Sequence, residues 1–202
     1  IDPRQESVIK INRVPYDAHT ITLAHHSTKN GTVGKVFEFQ KGVILSFSNN
    51  TTPTTAGGFI AGKKYKIVSV DDGQSGEVTD FTLVGAPNNS LNTVFVATGS
   101  GTGTGTARAE NVEVNIRDCK TPSQVARKLV NAINSETVHG RWSFHAEQIK
   151  SNEIKITKGL IDVLSNVSDI TTSASERFVE VTKKFAAKAQ PTAVYPSLEI
   201  TR

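Results

Sequence analysis

Residues 62–107 read GKKYKIVSVDDGQSGEVTDFTLVGAPNNSLNTVFVATGSGTGTGTA, and the reading of this stretch decides the architecture. Tyr65, Ile67 and Ser69 alternate with Lys66, Val68 and Val70, the period of two expected of a strand. Asp71, Asp72, Gly73 and Gly76, and later Pro87, Asn88 and Asn89, supply two turn-forming clusters. Val94 to Thr98 is β-branched and aromatic and predicts a further strand. The stretch ends in alternating glycine and threonine from Gly99 to Thr106. In an extended chain this puts threonines on one face and bare glycines on the other.

A glycine-rich run invites comparison with a phosphate cradle. Neither the GxGxxG spacing nor a GK[ST] ending is present, and no helical pattern follows Ala107 to present its N-terminus to an anion. The run is expected to be a strand whose glycine face admits a close neighbour. Its threonines Thr102, Thr104 and Thr106 are then available for hydrogen bonding. They are candidate interaction residues.

Three pieces of this stretch, GKKYKIVSV, TDFTLVGA and NTVFVATGSGTGTGTA, resemble a small β module of bacteriophage structural proteins, notably tail and fibre components. DGQSGEV at Asp72 to Val78 lengthens the turn before the second piece. Outside the stretch, TITL, KVFEF, VEVNI, TPSQVARKLVNAIN and NEIKIT resemble, in their order, a second α/β domain of phage virion proteins. The two resemblances together imply an α+β chain. A split sheet-plus-helix domain, residues 1–40 and 109–175, carries an inserted all-β domain at 41–108. Within the insertion SNNTTPTTAGG, residues 48–58, is a polar linker, and 176–202 forms an extended C-terminal arm.

The best-specified local element is the helix. Thr121 is a natural N-cap, Pro122 suits the first helical position, and Gln124 completes a T-x-x-Q capping box. Val125, Leu129 and Ile133, with Ala126, Val130 and Ala132, build one apolar stripe. The helix is expected to lie across a single sheet shared by the two halves. Val8 to Val14, Ala18 to Leu23, Val33 to Phe39, Trp142 to Ala146 and Ile154 to Ile156 supply its strands. A polar hairpin loop is expected at His25 to Gly31. Ile161 to Val167 and Asp169 to Ser175 read as irregular cover or a short helix, and Arg177 to Lys188 as a strand entering the arm. Pro191 and Pro196 keep the end of the chain extended, where Val194, Tyr195 and Leu198 need a surface to bury them. A neighbouring subunit is the natural candidate.

Composition narrows the function. At 202 residues and 37% hydrophobic the chain is long enough to bury a core. It has no apolar run of the ~20 residues a membrane span needs, and no charged-then-apolar leader is visible. The net charge of +4 is scattered and does not imply nucleic acid. The one cysteine, Cys119, excludes an internal disulfide and a Cys-rich metal cluster, and fits a reducing compartment. Methionine is absent and the first residue is Ile1, which fits a chain preceded by further residues or trimmed.

No catalytic constellation stands out. His19, His25 and His26 lack a completing ligand, and Asp71, Asp72 and Glu77 lack the DxDxDG spacing of a calcium loop. Glu38 and Glu113 become neighbours only if the chain is split as described. Neither a metal, a cofactor nor an enzymatic activity is expected. The resemblance implies a structural virion protein, made in the host cytoplasm, whose partners are copies of itself and other virion proteins. The alternative is a host-surface or glycan-binding module of a tail fibre, or a capsid decoration protein. For glycan stacking Tyr65 and Phe81 are the candidates, although core packing accounts for both.

Overall fold

The computed structural model describes residues 5–27, 31–42, 45–49, 51–138, 144–158, 166–167 and 170–185. Its strands are β1 (Gln5–Ile11), β2 (Thr20–Ser27), β3 (Gly31–Gln40), β4 (Thr54–Thr55), β5 (Lys64–Ser69), β6 (Val94–Val96), β7 (Thr106–Ala109) and β8 (Val112–Asn115). The helix α1 (Pro122–Val138) follows, then β9 (Phe144–Gln148), β10 (Glu153–Lys158), β11 (Asn166–Val167), β12 (Thr171–Thr172) and β13 (Val179–Lys183). The class is α+β, with three sheets and one α-helix among the described residues.

The first sheet runs β13-β1-β10-β9 and every pairing in it is antiparallel. The second runs β11-β2-β3-β8, with β12 also on β2. Here β2 and β3 form a hairpin, while β3 and β8 are parallel, with Phe37 opposite Val112 and Phe39 opposite Val114. Two sheets therefore stand where one was expected. They pack on a common core: Ile9, Ile11, Ile154 and Ile156 from one, Ile21, Leu23, Phe37, Phe39 and Val114 from the other. In β1 and β10 the inward residues alternate with half-exposed ones, as a half-buried sheet requires, whereas β3 is buried on both faces from Val36 to Gln40.

Helix α1 closes this core with Val125, Ala126, Leu129 and Ile133, all fully buried. Its capping box forms as read: Gln124 N–H donates to Thr121 Oγ1 at 3.3 Å, and Thr121 N–H to Gln124 Oε1 at 3.1 Å. Farther along, the Asn134 amide donates to the Ala146 carbonyl and accepts from the Ala146 N–H, at 2.9 and 2.8 Å. It thereby acts as a one-residue strand on β9, the edge of its sheet, and blocks that edge.

The third sheet runs β4-β7-β5-β6, all antiparallel, and has a core of its own. Phe59, Tyr65, Ile67, Phe81, Val84 and Phe95 pack together with Ala56, Ala97 and Ala107, and the Phe59 ring lies 4.4 Å from that of Tyr65. Tyr65 and Phe81 are thus core residues.

Other expectations need correction. The strands of the β2–β3 hairpin take in His25, His26 and Ser27 on one side and start again at Gly31 on the other, so these histidines belong to a ladder and not to a loop. The glycine–threonine run is not a strand before Thr106. Gly103 takes φ +106°, which breaks the extended geometry. The polar stretch 48–58 contributes β4, and Ala56 within it is fully buried. Residues 166–167 and 171–172, read as irregular cover or a short helix, are strands β11 and β12 paired with β2, with Ile170 and Ala174 in the core. Residues 179–183 of the C-terminal segment form β13 on β1, with Val179 fully buried. Trp142 and residues 186–202, hence Val194, Tyr195 and Leu198, lie outside the described residues.

Candidate interaction surfaces

The crossing between the third sheet and the rest of the chain is built on a buried carboxylate. Phe37 and Phe39 of β3 face the helix, so Glu38 and Gln40 face the opposite way, and both are buried there by the returning chain. Glu38 accepts from the Asn111 amide at 2.6 Å, from Ser46 N–H at 3.1 Å, and from the Gln40 amide. Donors converge on it, which is the acceptor chemistry of a carboxylate. Asn111 Oδ1 in turn accepts from Ser48 N–H at 3.2 Å and Thr51 Oγ1 at 3.4 Å. Arg108 donates to the carbonyls of Ser48, Asn49 and Thr51. The outgoing chain (46–51) and the incoming chain (108–111) are thereby fastened to each other and to β3. Glu38 lies opposite Glu113 in the ladder, but Glu113 is exposed. The two carboxyls do not form a catalytic pair.

The glycine–threonine run is packed and not free. A Cβ at Gly103 would come within 2.3 Å of Thr79 Oγ1, at Gly105 within 2.7 Å of the Val70 carbonyl, and at Gly101 within 2.6 Å of Val84. The bare face does admit a close neighbour. Thr104 donates its hydroxyl to the Glu77 carbonyl at 2.7 Å, and Thr106 lies in the ladder opposite Thr55 and Ser69. Of the three candidate threonines, Thr102 alone is exposed.

The Asp72 turn is held by its own backbone. Asp72 Oδ1 accepts from Gln74 N–H, Ser75 N–H and Ser75 Oγ at 2.8–2.9 Å. These bonds, led by the one from Ser75 N–H, hold its carboxyl below the usual range. Among the described residues no group of three or more His, Cys, Asp or Glu is placed to hold a metal ion. Burial pushes the Cys119 thiol up, the opposite of an activated nucleophile. No helix of the described chain is long and apolar enough to cross a membrane.

What the sequence reading missed is an apolar exterior. Of the nine large hydrophobic side chains exposed among the described residues, seven fall between Ile60 and Val96. Leu83 is 78% exposed, and Val94 and Val96 each 48%. Val94 and Val96 sit on β6, the edge strand, with Phe95 between them turned into the core. Lys66 and Lys64 lie opposite them on β5. The signal was present in VFV: apolar residues at both parities of a strand leave one set outside.

A second exposed feature lies at the other end of β3. Tyr16, 62% exposed, packs at a tilt against Phe178 with ring centres 4.8 Å apart and edge-on to His19 at 5.5 Å. The turn between Tyr16 and His19 places Ala18 at φ +61°, a left-handed geometry that costs an L-residue ~1 kcal/mol. Tyr16 N–H donates to His19 Nδ1 at 3.3 Å. Burial, with Lys41 nearby, pulls the His19 imidazole below its ordinary pKa.

Comparison with protein-family models, with curated proteins and with solved structures finds no match to the chain.

Proposed function

We propose that the chain is a non-enzymatic structural component of a bacteriophage particle, tail-associated, acting through contacts with copies of itself and with other virion proteins. The reading has two supports. The first is the resemblance carried by GKKYKIVSV, TDFTLVGA and NTVFVATGSGTGTGTA. The second, and the observation that carries the argument, is the concentration of exposed apolar side chains on residues 60–96, two of them on the edge strand β6. An apolar exterior of this kind serves association.

In this reading residues 41–108 are an inserted all-β domain and residues 1–40 with 109–175 the split domain that carries it. Separate cores support the division. So does the pairing of β4 with β7, which brings the start and finish of the insertion side by side. Replacing residues 54–108 by a short Gly/Ser bridge should leave a chain that unfolds cooperatively with its helix signal intact. Loss of cooperative unfolding would remove the division.

The functional test is particle composition. Peptide mass spectrometry of gradient-purified particles from a phage encoding the chain should find it at a stoichiometry of many copies. Its absence from particles, with the chain present in the lysate, would refute the proposal. The exposed Tyr16, set against the half-buried His19 and Phe178, favours the second reading, a saccharide-binding surface. In that case Tyr16→Ala particles would lose adsorption to host cells while assembling normally.

A further inference from the structure

We infer that the outer face of the third sheet receives the acidic turn of residues 71–78 from a second copy of the chain; this rests on the assembly reading above. On β5 the side chains of Tyr65 and Ile67 enter the small core, so Lys64 and Lys66 stand on the other face. Val96 lies opposite Lys64 and Val94 opposite Lys66, with Phe95 turned inward between them. Arg108 of β7 lies on the other side of Lys66, flanked by Ala107 and Ala109, which face the core. One face thus joins three cations to two exposed valines.

The chain itself does not neutralise these cations. Among the described residues no ion pair takes in Lys64, Lys66 or Arg108. Lys66 lies over the Phe47 ring at 5.7 Å, and Arg108 meets backbone carbonyls. Glu110, whose N–H donates to the Lys64 carbonyl, borders the face. Three cations against one carboxylate leave it positive.

The opposite chemistry lies beyond the far end of β5. Residues 71–78, DDGQSGEV, carry the carboxylates of Asp71, Asp72 and Glu77 and no Lys or Arg, and Val78 beside them is exposed. These carboxylates too have no ion pair among the described residues. The turn holds one shape. Asp71 Oδ1 accepts from Gly73 N–H at 3.0 Å, Asp72 accepts from Gln74 and Ser75, and the Thr104 hydroxyl fixes the Glu77 carbonyl. A surface fixed in advance loses little entropy on docking. The six residues of β5 span ~20 Å, about twice the reach of exposed charges at 0.1 M salt. Lys64 and the turn stand at opposite ends of that span. A second copy's turn instead brings carboxylates and a valine to the lysines and valines of the first. Each copy gives a turn and offers a face, so the contact is head-to-tail.

The test uses full-length chains in sedimentation velocity. Lys64→Glu/Lys66→Glu reverses the face. Asp72→Asn/Gln74→Lys/Glu77→Lys reverses the turn, while the asparagine keeps the acceptor that closes it. The wild type should self-associate at about 0.05 M salt and at least about tenfold more weakly at about 0.5 M, where exposed charges are screened. Each variant alone should be weaker than the wild type by a similar factor at low salt, with unchanged circular dichroism. An equimolar mixture offers an acidic face to a basic turn and a basic face to an acidic turn. It should recover wild-type association, as should one chain carrying both sets of changes. A variant that associates like the wild type, a mixture that does not recover, or association that salt leaves unchanged overturns the inference and leaves the assembly reading standing. A wild type monomeric at low salt overturns it too. Binding of that monomer to oligo(dT) or to phosphatidylserine vesicles, lost in Lys64→Glu/Lys66→Glu, then gives the face to a nucleic acid or a lipid. Finding or missing the chain in particles decides the assembly reading separately.

Discussion

Removing the Asn111 side chain should destabilise the chain by about 4 kcal/mol, and the figure follows from what that amide touches. Its Nδ2 donates to Glu38 at 2.6 Å where both residues are buried, 2% and 1% exposed. A hydrogen bond to a charged partner contributes ~1.5–3 kcal/mol, and a charged group left short of donors costs at the upper end. Its Oδ1 accepts two further bonds, at 3.2 and 3.4 Å. Each adds ~0.5 kcal/mol, the low end of the neutral range because both are long. Water does not restore the first bond cheaply, since the carboxylate lies under the returning chain. Equilibrium urea unfolding of Asn111→Ala should show the loss as a lowered midpoint at constant m. Glu38→Gln removes the charge while keeping the shape, so Asn111→Ala made in that background should cost at least ~1 kcal/mol less. A loss under ~1 kcal/mol in the single variant would refute the reasoning, as would simple additivity of the two changes. Either result would mean that the carboxylate is hydrated and the two chain crossings are not fastened through it.

Other substitutions probe the packing directly. Gly103→Ala places a Cβ against Thr79 and forces φ +106° on an L-residue, so it should cost several-fold more in urea unfolding than Gly73→Ala. Gly73 also has positive φ but open space around its Cα, which limits its cost to ~1 kcal/mol. Leu129→Ala should lose ~2–5 kcal/mol from a fully buried helix position, and Leu129→Asp should give no cooperative transition by circular dichroism. For His19, burial and Lys41 favour the neutral ring, so its folded pKa lies below the unfolded one. The stability it contributes is present above about pH 6.5, the unfolded value, and is lost as the pH falls towards the folded pKa. The urea midpoint should therefore drop less between pH 7.5 and 5.5 in His19→Phe than in the wild type.

The parts of this fold legible in the sequence are those fixed by neighbours along the chain. Thr121, Pro122 and Gln124 specify the helix start within four residues, and the Val125–Leu129–Ile133 stripe specifies its buried face. KVFEF and VEVNI were legible as strands, and they do pair. The misreadings have non-local causes. Glu38 and Gln40 look like the wet face of β3, yet both are buried because Asn111, some seventy residues on, supplies a donor. The Gly–Thr alternation looks like a strand until Thr79, packed against Gly103 and Gly105, bends it. Val94 and Val96 carry the apolar exterior, but with Phe95 between them the sequence does not say which parity faces out. The division of the core between two sheets was hidden for the same reason. Nothing local distinguishes β1, β9 and β10 from β2, β3 and β8.

The parallel pairing of β3 with β8 explains why the third sheet sits where it does. Antiparallel neighbours can be joined by a tight turn, but parallel ones need a crossover of a dozen residues or more, usually a helix. Here the crossover is the run from Lys41 to Asn111. Its first part doubles back along β3, with Ser46 beside Glu38 and Thr52 bonded to Gly34. That return brings the chain from the finish of β3 to the level at which β8 starts, as a crossover must. Once there, a further excursion adds little closure entropy, since each doubling of a loop costs only ~0.6 kcal/mol. The excursion from Thr54 to Ala109 offsets that cost from its own aromatic core, and β4 against β7 returns the chain to its starting point. A connection the topology demands has thus become a place to carry surface. The strand farthest from the attachment in sheet order, β6, is the one that presents its valines to solvent. Placing the exposed valines there keeps them apart from the fold's main core, so that they can be changed without disturbing Phe37, Phe39 or the helix that covers them.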